Sequence, residues 1–156
     1  MQAKNTLKEK FLHLNCRKLP NDFSFYDGLL DTAVLLNVIP ERYRKLNLSE
    51  PDTYFAMARG YQDENGDVKA LAMKKWFNTK YHYMVAEIDD NTKIKLSGNK
   101  PFELFAEALE NSTKTKSVII GVYTFLKLSK YIGNKTANDF SDDIITAYTD
   151  ILKKIR

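Results

Sequence analysis

The sequence is poor in the residues that usually carry metal or thiol chemistry. Its 156 residues hold one cysteine, Cys16, and two histidines, His13 and His82. A lone cysteine excludes an intrachain disulfide and fits a reducing compartment, so a cytoplasmic protein is expected. One Cys and two distant His give no zinc-ligand spacing. Arg17 and Lys18 would favour a thiolate at Cys16, but a lone thiol on a helix is usually inert. The six glycines are isolated, so there is no Gly-rich phosphate loop. Neither a nucleophile elbow nor a Ser/His/Asp set is present. No apolar run approaches membrane-span length, and the N-terminus lacks the apolar core of a signal peptide, so no membrane partner is expected. The net charge of +4 is mild. Without an Arg/Lys-rich helix or an aromatic RNA-binding signature, no nucleic-acid partner is expected either.

What is present is globular. The chain is 44% hydrophobic and 12% aromatic, long enough for one domain with a real core, and no linker or repeat divides residues 1–156. Residues 3–18 read as a helix, broken by Pro20 and the Asn21-Asp22 turn. Ser24, three residues before Asp27, resembles a capping box for a helix burying Leu29, Leu30, Ala33 and Leu36 and closed by Asn37. Pro40 opens a short helix through Lys45. Ser49 to Asp52 starts another, which Gly60 stops. Residues 63–67 form a polar turn.

Val68, Leu71 and Ala72 at i, i+3 and i+4 predict a helix over 67–76. From Tyr81 the period drops to two, predicting a strand over 81–87. Asp89-Asp90-Asn91 reads as a solvated loop tip, followed by a short strand at 93–96. Pro101 opens a helix with Phe102, Phe105, Ala106 and Leu109 on one face. The apolar run 117–121 suits a strand buried on both faces, and 124–131 suits a helix. Ser141 caps a last helix whose inner face is Ile144, Tyr148, Ile151, Leu152 and Ile155, with Asp142 and Asp143 at its positive end. Strand and helix alternate from residue 77 onward. That predicts the α/β class with a parallel sheet, left unfinished because roughly three strands cannot close an eight-stranded barrel.

One stretch concentrates polar chemistry. Residues 71–88 hold the only tryptophan, Trp76, together with His82, Lys74, Lys75 and Lys80. Two readings stand: solvated lysines at an ordinary helix-to-strand junction, or a basic site for an anionic ligand at the rim of a sheet. His82, beside aromatics, reads more readily as a hydrogen-bonded structural residue than as a catalytic one.

Five segments in order, NDFSFYDGLLDTAVLLNVIPERY (21–43), DTYFAMARG (52–60), MKKWFNTKYHYMVAE (73–87), IKLSGNKP (94–101) and KSVIIGVYTFLKLSK (116–130), together resemble the N-terminal barrel domain of cobalamin-independent methionine synthase. The resemblance covers residues 20–156. It implies a partial N-terminal domain, an incomplete (β/α)8 TIM-type barrel of parallel strands and helices. It implies a methyltransferase that moves a methyl group from 5-methyltetrahydrofolate polyglutamate to homocysteine, making methionine. Zinc, not cobalamin, serves that family: it holds the homocysteine thiolate through ligands of a C-terminal barrel, none of them in this chain. The chain alone is therefore expected to be inactive. The family's Met-Thr-Lys-Trp-Phe segment, whose lysine contacts the folate substrate, reads here Met73-Lys74-Lys75-Trp76-Phe77. That assigns contact with the polyglutamate tail to Lys75, while Lys74 remains a surface charge. Departures are the missing Gly-Phe-Pro-Arg and Arg-Glu-Leu-Lys segments, Lys80 for asparagine, and Ala86 and Val122 for prolines. They favour an alternative, a non-enzymatic binding or scaffold domain that has lost the ligand. The open edges of a partial barrel imply self-association.

Overall fold

The computed structural model describes residues 19–20, 24–64 and 66–155. The helix expected over 3–18, with Cys16 and His13, and the Asn21-Asp22 break lie outside these residues. The chain divides into two compact units, Met1–Phe23 with Asn99–Val118, and Ser24–Gly98 with Ile119–Arg156.

In the first unit, β1 (Leu19–Pro20) pairs in parallel with β7 (Thr115–Lys116), Leu19 opposite Thr115. Helix α4 (Lys100–Glu110) has Pro101 in its first turn, where a missing N–H costs nothing. Its buried residue is Ala108, while Leu109 is exposed. The expected apolar face is thus covered only in part.

The second unit opens with α1 (Gly28–Leu35). Its cap is Asp27, not Ser24: the Asp27 carboxylate accepts from the Leu29 and Leu30 amides at 2.8 and 3.2 Å. A short α2 (Glu41–Arg44) follows Pro40. Ser49 caps α3 (Glu50–Arg59), its Oγ accepting from the Asp52 amide. Gly60 ends α3 at φ 85, and its amide donates to Ala56 O at 2.8 Å. Two antiparallel hairpins come next, β2 (Tyr61–Asp63) with β3 (Gly66–Val68), and β4 (Met73–Lys75) with β5 (His82–Met84). Strand β6 (Glu87–Asp89) pairs in parallel with β8 (Lys130–Ile132). Helix α5 (Val122–Leu128) directly precedes β8, and after β8 a 3-10 turn (Ala137–Phe140) leads into α6 (Ser141–Ile155).

Leu30, Tyr43, Tyr54, Met57, Leu71 and Met84 centre one core cluster. Leu29, Tyr83 and Val85 form a second, with Trp76, Ile120 and Leu128 packed against it. Each fully buried Leu or Met here contributes roughly 2 kcal/mol.

Several expectations fail for identifiable reasons. The class is mixed α/β, as expected, but the strands form four two-stranded sheets, two parallel and two antiparallel, and no closed barrel is formed among the described residues. The helix over 67–76 is absent because its backbone groups bond elsewhere. Leu71 N–H donates to Met57 O, Ala72 O accepts from Val85 N–H, and Trp76 N–H donates to Tyr81 O. Residues 93–96 form no strand. Their neighbourhood is tied to the end of α1 through Lys95 N–H to Leu36 O and Ser97 N–H to Leu35 O. Residues 117–121 are not a buried strand, and Val118 is exposed. The helix expected through 131 ends at Leu128, and its last residues become β8. The capping box sits at Thr136 and Asp139, one 3-10 turn before Ser141. On α6, Ile144, Ala147 and Ile151 are buried, whereas Leu152 faces solvent. Asp90 and Asn91 do form the expected solvated turn, and the Asp90 carboxylate also accepts from the Asn134 and Lys135 amides.

Candidate functional site

The basic stretch forms a hairpin. The register sets Met73 opposite Met84, Lys74 opposite Tyr83 and Lys75 opposite His82. Directly opposed residues share a face. Lys75 and His82 therefore stand together, while Lys74 lies on the alternate face. Lys74, Lys75, Lys80 and His82 are all exposed.

The tip, residues 76–81, is held from within. Trp76 N–H donates to Tyr81 O at 2.8 Å, and Thr79 Oγ1 donates to Trp76 O at 2.6 Å while accepting from Tyr81 N–H at 3.2 Å. Trp76 meets Phe77, Tyr81 and Tyr83 edge-on, with ring centroids 5.6, 6.2 and 5.8 Å away. Phe77 has φ 51 and is 77% exposed. A bulky residue in that region costs about 1–3 kcal/mol, and such strain clusters at ligand-contacting turns. His82 Nδ1 lies 3.0 Å from Lys80 O. A carbonyl only accepts, so Nδ1 is the donor of this pair.

Beneath the hairpin sits a buried carboxylate. Asp27 is 2% exposed. Its Oδ1 accepts from Leu29 N–H and from Tyr81 Oη–H at 3.2 Å, and its Oδ2 accepts from Leu30 N–H and from Met84 N–H at 3.0 Å. Burial pushes the Asp27 carboxyl above its ordinary value, outweighing the donated bonds that pull it down. Burial and the nearby Asp27 charge raise Tyr81. Tyr54, on α3, accepts from Tyr26 N–H at 3.0 Å and Asp27 N–H at 3.4 Å, and donates to Asp31 Oδ1 at 2.7 Å. Burial foremost, then the Asp31 bond, lifts the Tyr54 hydroxyl far up.

The structure brings Lys75 and His82 together and sets Lys74 apart. Sequence reasoning placed Asp27 in the capping box of α1 but missed its bonds to the hairpin, and it missed Tyr54 and Tyr81. Tyr54 and Tyr81 act across 23 and 54 residues of sequence, beyond any local pattern. Among the described residues, no group of three His, Cys, Asp or Glu is placed to hold a metal ion. No helix among them is long and apolar enough to cross a membrane.

The sequence profile of the family described as "Cobalamin-independent synthase, N-terminal domain" matches residues 2–156. A Streptococcus thermophilus protein named 5-methyltetrahydropteroyltriglutamate–homocysteine methyltransferase is 47% identical over 152 residues, covering 97% of this chain and 20% of that protein. A Bifidobacterium animalis subsp. lactis protein of the same name is 62% identical over 111 residues, 70% of this chain and 14% of its own length. One from Campylobacter jejuni subsp. doylei is 50% identical over 135 residues, 86% of this chain and 18% of its own. The chain thus spans about one fifth, or less, of the curated relatives it matches. With a family profile matched along almost its whole length, this chain belongs to the cobalamin-independent methionine synthase family, as part of its N-terminal domain.

Proposed function

We propose that this chain is the tail-binding part of a methyltransferase that moves a methyl group from 5-methyltetrahydropteroyltriglutamate to homocysteine. Lys75 contacts the glutamate tail of the folate. One observation carries the reading: Lys75 is exposed at the end of an anchored hairpin, opposite His82 and beside the Trp76 tip. A flexible ammonium suits a mobile polyanion, and the surplus of positive charge in the chain draws one in. Homocysteine binding and methyl transfer need protein beyond this chain. The described residues offer no metal-holding trio. The parallel pairings β1–β7 and β6–β8 support reading the architecture as a piece of a (β/α)8 barrel. Exposed sheet edges support self-association, and the lone cysteine supports a cytoplasmic setting.

The test is titration of the chain with pteroyltriglutamate at low and high salt. Saturable binding that weakens with salt is expected, and Lys75→Ala weakens it about twofold to fivefold, the range of an exposed ion pair. Equal affinity of the variant removes the role of Lys75. Absence of any binding by the chain leaves the scaffold alternative standing. Methionine formation by the purified chain with zinc would refute its dependence on further protein.

A further inference from the structure

The hairpin that presents Lys75 has only three residue pairs, and so short a two-stranded ribbon is marginal in water on its own. Something outside it must hold it. Leu71 ties its approach to α3 through Met57 O. On the side of its second strand, the anchor is one carboxylate. Asp27 receives four bonds, two from the first amides of α1 and two from the hairpin, and each of its oxygens serves one partner of each kind. The Met84 amide fixes the inner end of β5, and the Tyr81 hydroxyl fixes the tip. The same Tyr81 ring lies against Trp76, next in sequence to Lys75. All four partners donate, so an ionised carboxylate satisfies every one.

We infer that Asp27, acting through Tyr81, is a positioning residue for the Lys75 contact: it fixes the hairpin tip on the N-terminus of α1 and so sets where the Lys75 ammonium meets an anionic tail. The tail-contact half of this rests on the function proposed above, while the hairpin-fixing half does not. Tyr81→Phe removes one bond at a half-exposed ring and leaves Asp27 its three amide donors. Asp27→Asn places an NH2 group against donors at one oxygen while conserving shape.

Three measurements on the full chain decide it, made for Tyr81→Phe first and for Asp27→Asn if it folds. Amide exchange of Trp76 and Val85 should speed up about fivefold in Tyr81→Phe, with global unfolding unchanged. The near-ultraviolet signal of Trp76 should change with it. Affinity for pteroyltriglutamate should fall about as much as in Lys75→Ala, and Tyr81→Phe should cost nothing further in the Lys75→Ala background. Additive losses in that double variant would overturn the coupling to Lys75. Unchanged exchange and an unchanged Trp76 signal would overturn the positioning role altogether. If the unaltered chain does not bind the triglutamate, the Lys75 reading falls by itself, and exchange and the Trp76 signal still decide whether Asp27 and Tyr81 fix the hairpin.

Discussion

Replacing Tyr54 by phenylalanine removes a single oxygen atom that joins α1 to α3. That oxygen donates to Asp31 Oδ1 at 2.7 Å and accepts from the Tyr26 and Asp27 amides. The side chain is 6% exposed, so water cannot simply take its place. A hydrogen bond to a charged acceptor contributes about 1.5–3 kcal/mol net, and an orphaned buried amide costs a further fraction of that. The Asp27 amide, at 3.4 Å, loses little, and the Tyr26 amide lies on a residue that solvent reaches. The expected loss is about 2 kcal/mol. In a protein of this size that lowers Tm by about 4–8 °C. Urea unfolding followed by Trp76 fluorescence would show a lower midpoint with an unchanged slope. Tyr123→Phe, at a residue 74% exposed, serves as the control and should leave the midpoint where it is. A loss below about 0.5 kcal/mol for Tyr54→Phe would refute the account, because water or a shifted Asp31 would then replace the hydroxyl at no cost.

Gly60→Ala should destabilise by about 1–3 kcal/mol. The position has φ 85, and a Cβ there would lie 2.9 Å from Val68 O. Gly66→Ala, with nothing within 4 Å, should change little in the same melt. On α6, Ile144→Ala should cost about 2–4 kcal/mol by urea titration while Leu152→Ala stays within about 0.5, since the first is buried and the second exposed. Stability against pH should carry two opposed contributions. Asp27 holds its proton more tightly folded than unfolded, so its contribution is fully present below the unfolded value of 3.8 and is lost as pH rises through the higher folded value. Asp90 and Asp139 are held below 3.8 by donated amide hydrogens, so theirs is present above 3.8 and lost as pH falls through their folded values. Between neutrality and pH 3.8 the stability of the chain relative to Asp27→Asn should therefore rise on acidification, and a fall would contradict the dominance of burial at Asp27.

Where local chemistry decides the backbone, the sequence was readable. Ser49, Pro51 and Gly60 bound α3 as their types demand, and Pro40 and Pro101 open α2 and α4. The strand expected over 81–87 is met only in part, by β5 and the first residue of β6, and its alternation does not hold, because Tyr83, Met84, Val85 and Ala86 are all buried. What failed was decided at a distance. Residues 67–76 carry three apolar positions at helical spacing, but their backbone groups bond Met57, Tyr81 and Val85 instead of one another. A three-point periodicity over so short a window is weaker than an open hydrogen-bonding partner. Leu152 failed on the outer edge of a helical face, where the neighbours that cover Ile151 no longer reach. The Asp27 cap was misplaced by three residues for a different reason. Ser24 and Asp27 satisfy the same local rule, and only the Met84 amide, 57 residues on, needs a buried acceptor at Asp27.

The error over 67–76 bears directly on the site. In a helix, Lys74 and Lys75 would diverge by about 100° and face no fixed partner. On a strand they point to opposite faces, and the register gives each a different companion, Tyr83 for Lys74 and His82 for Lys75. Only one of those faces sets a lysine beside an imidazole. The separation of Lys75 from Lys74 is thus a property of the strand register. It does not come from Lys75 itself, which is simply exposed. It comes from the hairpin, and the hairpin is fixed by a carboxylate at the start of α1 that no reading of the basic stretch alone would include.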